Sequence, residues 1–169
     1  MNNGTILGID PGNKQSGVVL WSTTPVSNKI LYQGNISNDD VLGLIQENEF
    51  RVDVLACEWI QSFGMAVGAT VFETCLWAGR FVERAGACGI SSRLVPRGVI
   101  KRHHCGSPHA KDGNIAQAIR DKYGEKGTKA DPGFFYGVSK HVWQACAVAA
   151  YVAEGGRDPK ELIYPYIVE

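Results

Sequence analysis

The sequence predicts an α/β fold: a mixed five-stranded sheet, in which a three-stranded antiparallel meander is joined by two parallel strands, with helices on both faces. Three observations predict this class. Near the start, three apolar runs are joined by short linkers rich in Gly, Asn and Pro, as in a meander. Later apolar runs alternate with segments whose apolar residues recur every three or four positions, as in helices. The length of 169 residues fits one domain.

Four strands are predicted in the first part of the chain, because each is a short apolar run stopped by turn residues. They cover residues 5–10, 16–22, 29–35 and 52–58. A helix is predicted between the last two, since Ser37 is a typical N-cap residue and Asp39 and Asp40 place negative charge in the first turn. This helix ends near Phe50.

The rest of the chain predicts one more strand among four helices. The strand covers residues 91–95 and is stopped by Pro96. The helices cover residues 64–85, 97–104, 111–123 and 140–154, the last with Ser139 as its N-cap. The apolar face of the first of these is Val67, Val71, Cys75, Ala78 and Val82. Residues 124–137, with four glycines and four charges, predict a mobile loop.

The predicted domain covers residues 1–154, and residues 155–169 form a C-terminal extension. Hydrophobic residues are 44% of the chain and charged residues 20%, as in globular proteins. The longest apolar run is far shorter than the ~20 residues of a membrane span. The start of the chain lacks the pattern of a secretory signal. We therefore expect the protein in the cytoplasm.

The number of cysteines and the distribution of charge indicate the redox state of the thiols and limit the ways in which the protein could bind nucleic acid. Five cysteines, an odd number without a C-x-x-C pair, indicate reduced thiols. The net charge is zero, yet residues 1–84 hold five basic and nine acidic side chains, and residues 85–156 hold ten and five. A neutral total argues against coating of nucleic acid by bulk charge, whereas the basic second half leaves room for a local phosphate-binding face.

Two acids at strand ends are the most informative residues. Asp10 and Glu58 each close one of the two most hydrophobic strands, and the carboxyl ends of central parallel strands meet at one edge of a sheet. Two carboxylates there would repel each other unless a divalent cation such as Mg²⁺ or Mn²⁺ were shared. The alternative is that each acid caps a turn, for example Asp10 over Pro11 and Gly12.

The last helix adds His141 in its first turn, and Gln144 three residues on shares its face. A histidine there is a metal ligand or a general base, and the helix N-terminus favours its neutral form. The alternative is a surface histidine without a role.

These motifs together resemble the RuvC-type Holliday-junction resolvases, above all their phage-encoded branch, which belong to the ribonuclease H-like nucleases. The motifs are Gly-Ile-Asp-Pro-Gly at residues 8–12, Cys-Glu at 57–58, a Pro-Arg and basic-helix passage at 96–123, and His-x-x-Gln-Ala at 141–145. The resemblance covers residues 5–154 and implies a ribonuclease H-like fold.

The resemblance implies four metal-binding positions: Asp10, Glu58, His141 and Gln144. The fourth is normally Asp, so Gln144 is a departure that removes one negative charge. Three explanations stay open: weaker binding of two metals, a substitute acid, with Asp112 and Asp131 as candidates, or reduced or lost nuclease activity.

The resemblance also implies the reaction and the partners. The reaction is hydrolysis of phosphodiesters in branched DNA with Mg²⁺ or Mn²⁺, Asp10 bridging two ions, Glu58 holding one, and His141 holding the other or acting as base. Symmetric cutting of two strands implies a homodimer, in the bacterial host cytoplasm for a phage protein.

Basic and aromatic residues are candidates for DNA contact. They are Arg93, Arg97, Lys101, Arg102, Lys111 and Phe63. By resemblance, Lys111 lies near the scissile phosphate and is counted with the catalytic residues. The alternatives are solvated surface charge for the basic residues and a core or dimer contact for Phe63. The aromatic run at residues 134–136 is either a stacking surface or part of the core.

Three weaker interpretations remain. His103, His104, Cys105 and His109 contain metal-ligand residue types, but their spacing is not a usual zinc pattern. The turn after Asp10 also resembles the phosphate loop of actin-like ATPases and sugar kinases, which need two such domains. The third interpretation is a branched-DNA-binding protein that keeps the fold and has weak or no catalytic activity, and Gln144 is its main support.

Overall fold

The computed structural model describes residues 4–24, 26–61, 64, 66–139 and 141–158. The predicted mixed five-stranded sheet with helices on both faces is confirmed. The elements are β1 (Gly4–Asp10), β2 (Gln15–Thr23), β3 (Asn28–Ser37), α1 (Asn38–Glu47), β4 (Val54–Trp59), α2 (Ala69–Ala87), β5 (Ser91–Pro96), α3 (Arg97–Cys105), α4 (Asp112–Tyr123) and α5 (Val142–Ala153). Within the described ranges, no helix is long and apolar enough to cross a membrane.

The strand order places two parallel strands at the centre of the sheet. The order is β3-β2-β1-β4-β5, with β1–β2 and β2–β3 antiparallel and β1–β4 and β4–β5 parallel. Because β1 and β4 run in the same direction, their carboxyl ends lie at one edge of the sheet.

Each face of the sheet has its own hydrophobic core, as the period of two in a strand requires. On one face, Ile6, Val19 and Trp21 pack with the nearly all-apolar helix α5 and with buried residues of α3 and α4. On the other face, Leu7, Ile9 and their neighbours pack against α1 and α2. Helix α5 therefore lies directly over the central strands.

Two glycines allow α5 to approach the sheet closely. A Cβ at Gly8 of β1 would collide with the carbonyl oxygen of Ala145, and a Cβ at Gly17 of β2 would collide with that of His141. Gly17 is paired with Asp10 in the ladder between β1 and β2. The start of α5 is thereby held beside the carboxyl end of β1.

Three local expectations were wrong. Ser139 does not cap α5 with its side chain: His141 is the N-cap, and the carbonyl oxygen of Ser139 accepts from the backbone N–H of Val142. Residues 124–137 are anchored rather than loose, because Gly127 and Pro132 form a β-bridge and Phe135 is buried. The buried face of α2 is Thr74, Ala78, Phe81 and Ala85, which is rotated from the predicted face.

Candidate metal centre and nucleic-acid interface

Asp10 and Glu58 lie next to each other at the carboxyl ends of β1 and β4. The last pair in the parallel ladder between these strands is Ile9 with Cys57, so the two acids follow in register. Gly8, two residues before Asp10, contacts α5, and Ala56, two before Glu58, belongs to the core on the same face. The period of two therefore directs both carboxylates towards α5.

The Glu58 carboxylate is buried and only half satisfied. Its side chain is 7% exposed, and Oε1 accepts a hydrogen bond of 2.6 Å from Nη1 of Arg97. Its other oxygen, Oε2, is buried without a hydrogen-bond partner. Burial raises the pKa of Glu58, and the Arg97 guanidinium opposes this rise.

Asp10 has a strongly perturbed carboxyl group. Burial raises its pKa to about 7, the negative charge of Glu58 adds to the rise, and Arg97 opposes it. A carboxylate that is costly to ionise beside another acid is the electrostatic situation that a bound cation relieves.

Helix α5 brings two more side chains to these acids. Asp10, His141, Trp143 and Gln144 line one cleft of about 370 Å³. His141 is exposed at the start of the helix, whereas Gln144, one turn on, is 7% exposed. The carbonyl oxygen Oε1 of Gln144 is buried and has no hydrogen-bond partner.

These residues fit a divalent cation. Two buried oxygen atoms, Oε2 of Glu58 and Oε1 of Gln144, lack partners, and an orphaned buried acceptor is costly unless something unrecorded pairs with it. Carboxylate and amide oxygens, with an imidazole beside them, are ligands that Mg²⁺ and Mn²⁺ accept. The site thus supplies hard donors and negative charge in one place.

The sequence analysis did not predict an ion-pair network around Arg97 at this cleft. The Arg97 guanidinium, which binds Glu58, also binds Asp112 at the start of α4. The distance from Nη2 of Arg97 to Oδ2 of Asp112 is 2.7 Å. Lys101 Nζ lies 3.9 Å from Oδ1 of the same acid. Of the two substitute acids, Asp112 therefore lines the cleft, whereas Asp131 forms part of the turn that Thr128 closes and does not line it.

The basic candidates for DNA contact lie in different places. Arg97, Lys101 and Arg102 line a second cleft, of about 510 Å³, that shares Arg97 with the first. Lys111 is exposed at the N-cap of α4, next to Asp112. Arg93 instead donates a hydrogen bond of 3.1 Å to the carbonyl oxygen of Gly156. Phe63 lies outside the described residues.

The aromatic run at residues 134–136 is mainly core. Phe135 is fully buried, and Phe134 packs against Trp21 and Tyr123. Tyr136, at 45% exposure, is the exposed member of the run. Phe134 and Phe135 therefore stabilise the fold, as the core alternative expects.

The histidines of α3 join a separate cluster. His103 Nε2 lies 2.6 Å from Glu154 Oε2, and His104 Nε2 lies 2.9 Å from the carbonyl oxygen of Ala147. Together with Glu154 they are close enough for a metal ion. Lys122 Nζ, 2.9 Å from the same Glu154 oxygen, already supplies the positive charge that an ion would bring. Cys105 and His109 are not members of this cluster.

The sequence matches no protein-family model and no curated protein. Among solved structures, the chain is similar to Thermus thermophilus RuvC, with 18% identity and a TM-score of 0.69 over 90% of this chain and 97% of that one. It is also similar to T. thermophilus RuvC in complex with a Holliday junction substrate, with 17% identity and a TM-score of 0.69 over 91% of this chain and 98% of that one. The similarity to the yeast mitochondrial Holliday junction resolvase Ydc2 has 12% identity and a TM-score of 0.55 over 95% of this chain and 80% of that one. The chain therefore has the ribonuclease H-like fold of the RuvC-type resolvases, as its motifs imply.

Proposed function

We propose that this protein is a metal-dependent endonuclease that cleaves Holliday junctions or other branched DNA by hydrolysis of phosphodiester bonds. The observation that carries the proposal is the adjacent placement of Asp10 and Glu58 at the carboxyl ends of β1 and β4, beside His141 and Gln144 of α5. The choice of substrate is supported by the similar fold of RuvC, whose structure contains a Holliday junction.

Four side chains would hold Mg²⁺ or Mn²⁺: Asp10, Glu58, His141 and Gln144. A divalent ion there supplies Lewis acidity and lowers the pKa of water. Asp10 lines the cleft and would be one ligand, and Glu58, which its bond to Arg97 fixes in place, would be another. These positions orient a scissile phosphate at the sheet edge.

His141 either serves as a ligand of the ion or, in its place, takes the proton of the attacking water with an imidazole nitrogen, since its side chain is exposed and lines the cleft. The new bond joins the water oxygen to phosphorus, and the bond from phosphorus to the 3′ oxygen breaks. Lys111 would stabilise charge on the phosphate from the start of α4.

The DNA would approach over the two connected clefts. Arg97, Lys101 and Arg102 line the second cleft, and their charges attract the phosphates of strands that leave the cut site. Such contacts position the DNA and do not read its sequence. Arg93 contributes less, because its guanidinium is engaged with Gly156.

A second copy of the chain is the partner that symmetric cutting requires, and α2 supplies a surface for it. Phe72 and Leu76 lie one turn apart and are each 64% exposed. Ala78, Phe81 and Ala85 of the same helix are buried against the sheet, so the exposed pair belongs to another face. A phage-encoded dimer would act in the cytoplasm of the bacterial host.

The second candidate function is binding of branched DNA without cleavage. It is favoured by the amide of Gln144 where the resolvase pattern has Asp, and by Arg97, which already neutralises part of the acidic charge. This protein would keep the fold and the basic clefts and would lack turnover.

The test is cleavage of a synthetic four-way junction with Mg²⁺ or Mn²⁺. We expect paired nicks by the wild-type protein, and none by Asp10→Asn, which should bind the junction as tightly or more tightly. Asp131→Asn is the matched control and should cut normally, because Asp131 does not line the cleft. Equal cutting by wild type and Asp10→Asn would overturn the proposal. Binding without cutting by either would favour the second candidate.

A further inference from the structure

Arg97 makes two carboxylate contacts that attraction of DNA phosphates alone does not explain. Its guanidinium joins three elements: Arg97 itself begins α3, Nη1 binds Glu58 of β4 at 2.6 Å, and Nη2 binds Asp112 of α4 at 2.7 Å. A surface phosphate contact would not need two carboxylates to hold the side chain. The bonds fix a positive charge at the wall of the cleft that Asp10 also lines.

The charges at the cleft match one divalent ion better than two. The acids are Asp10, Glu58 and Asp112, because Gln144 contributes no charge. Arg97 neutralises one of the three negative charges, which leaves a balance equal to a single divalent cation. Lys101 lies 3.9 Å from Asp112, and counting its charge leaves a balance of minus one, which is still further from the charge of two ions. Two ions with four positive charges would lack compensation in a partly buried site.

We propose that Arg97 is a resident cation that takes the place of a second metal ion, so that the site binds one divalent ion per chain. This inference rests on the proposed nuclease function. Asp112 is then the anchor of Arg97 and not a metal ligand. Asp10, Glu58, His141 and Gln144 are left for one ion.

The guanidinium has donors to spare for a substrate. It carries five N–H groups in a plane, and the bonds to Glu58 and Asp112 use two of them. Arg97 lines both clefts and its side chain is 37% exposed, so it lies beside the path proposed for the DNA. A guanidinium stays charged at all relevant pH values and binds phosphate oxygens well. Arg97 would therefore contact the phosphate on the side where a second ion would otherwise be needed.

The experiment counts Mn²⁺ ions on the metal-free full-length protein, by calorimetric titration and by electron paramagnetic resonance of free Mn²⁺. Only ions that are lost in Asp10→Asn are counted, so that binding at the cluster of His103, His104 and Glu154 does not contribute. We expect one ion per wild-type chain. Two ions would overturn the inference and leave the proposed function intact, whereas no ion would overturn both.

The variant Arg97→Gln tests the role of Arg97 directly, and Arg120→Gln is its control. In Arg97→Gln we expect two ions, because the carboxylates of Glu58 and Asp112 are released. Arg120→Gln, which removes a comparable ion pair with Glu125 from the other end of α4, should keep one. A folded Arg97→Gln protein that binds one ion with unchanged affinity would contradict the proposal.

Another test variant, Asp112→Asn, keeps the inference testable if Arg97→Gln does not fold. We expect it to retain one ion, since Asp112 anchors Arg97 and is not a ligand. Loss of that ion would show that Asp112 is the substitute acid of the metal site and would overturn the proposal.

Discussion

Gln144 is the single residue at which this cleft departs most clearly from an all-acidic metal centre. Its carbonyl oxygen is buried without a partner, so the position is suited to a ligand and lacks only charge. We expect Gln144→Asp to tighten Mn²⁺ binding by about tenfold, or roughly 1.4 kcal/mol, because a carboxylate replaces a neutral amide oxygen beside the ion. Calorimetric titration measures the change.

The control for this variant is Gln144→Asn, which shortens the side chain equally and adds no charge. It should bind Mn²⁺ no more tightly than the wild-type protein. If Asn and Asp gave the same gain, side-chain length and not charge would control the affinity, and the explanation would be wrong.

At the level of residues, the sequence predicts contacts that follow from the period of two in strands. It does not predict contacts that depend on how far a long side chain extends. Asp10 and Glu58 could be paired from sequence, because each ends a predicted apolar strand. The link from Arg97 to Asp112 could not, because it needs the long guanidinium and the relative placement of α3 and α4. Arg97 could be read only as one basic residue among several.

At the level of elements, the seating of α5 on the sheet determines whether the site forms. Gly8→Ala would push a methyl group into the carbonyl oxygen of Ala145, which belongs to the helix backbone and has little freedom to move. We expect a loss of about 3 kcal/mol in the free energy of unfolding and weaker Mn²⁺ binding. Urea denaturation followed by circular dichroism measures the first effect.

Gly43→Ala is the matched control for this change. Gly43 lies in α1, and a Cβ there would meet no atom within 4 Å. Alanine should be neutral or stabilising by up to about 1 kcal/mol, because it is the better helix former. Equal stability of the two variants would show that α5 does not depend on Gly8.

The far end of α5 is tied to α3 and α4 by Glu154. Burial alone would raise its pKa, but hydrogen bonds from His103, Lys122 and Tyr123 lower it to about 2. Because the pKa is lower in the folded protein than the usual 4.5, these bonds stabilise the fold above pH 4.5 and lose their effect as the pH falls towards 2.

We therefore expect Glu154→Gln to be less stable than the wild-type protein by roughly 2 kcal/mol at pH 7, with a difference that shrinks as the pH falls from about 5 to about 2. Thermal unfolding across this range provides the measurement. Glu125→Gln, in an exposed pair with Arg120, should change stability by less than about 0.5 kcal/mol. A difference for Glu154→Gln that does not depend on pH would rule out the ionised carboxylate as its source.

Element bounds were predicted well where the pattern is local and poorly where tertiary contacts decide. The bounds of the strands and helices lie within five residues of their predicted positions, with the largest difference at the start of α2, since apolar period and N-cap residues such as Ser37 act locally. Ser139 failed as a cap, because the close contact of His141 with Gly17 helps to set where α5 begins. The buried face of α2 was misjudged, because Val71 and Cys75 of the predicted face are only partly buried, whereas Thr74 and Phe81 are buried.

At the scale of the whole molecule, the exposed apolar pair on α2 is the surface proposed for dimer formation. We expect Leu76→Glu to dissociate the dimer, because a charge buried between two copies is costly. Light scattering coupled to size-exclusion chromatography should then give the mass of one chain, compared with twice that mass for the wild-type protein.

Leu31→Glu is the matched control, since Leu31 is an exposed apolar residue at 40% on the edge strand β3. It should keep the mass of the wild-type protein. A wild-type protein that is monomeric at all concentrations, or a Leu76→Glu protein that stays dimeric, would contradict the assignment of α2 to the interface.

The central claim is that two acids from neighbouring strands share a divalent ion with α5. Anomalous X-ray scattering from crystals soaked in Mn²⁺ tests it most directly. We expect a peak within about 2.6 Å of carboxylate oxygens of both Asp10 and Glu58. No peak there at millimolar Mn²⁺, or a peak at the cluster of His103, His104 and Glu154 alone, would contradict the claim.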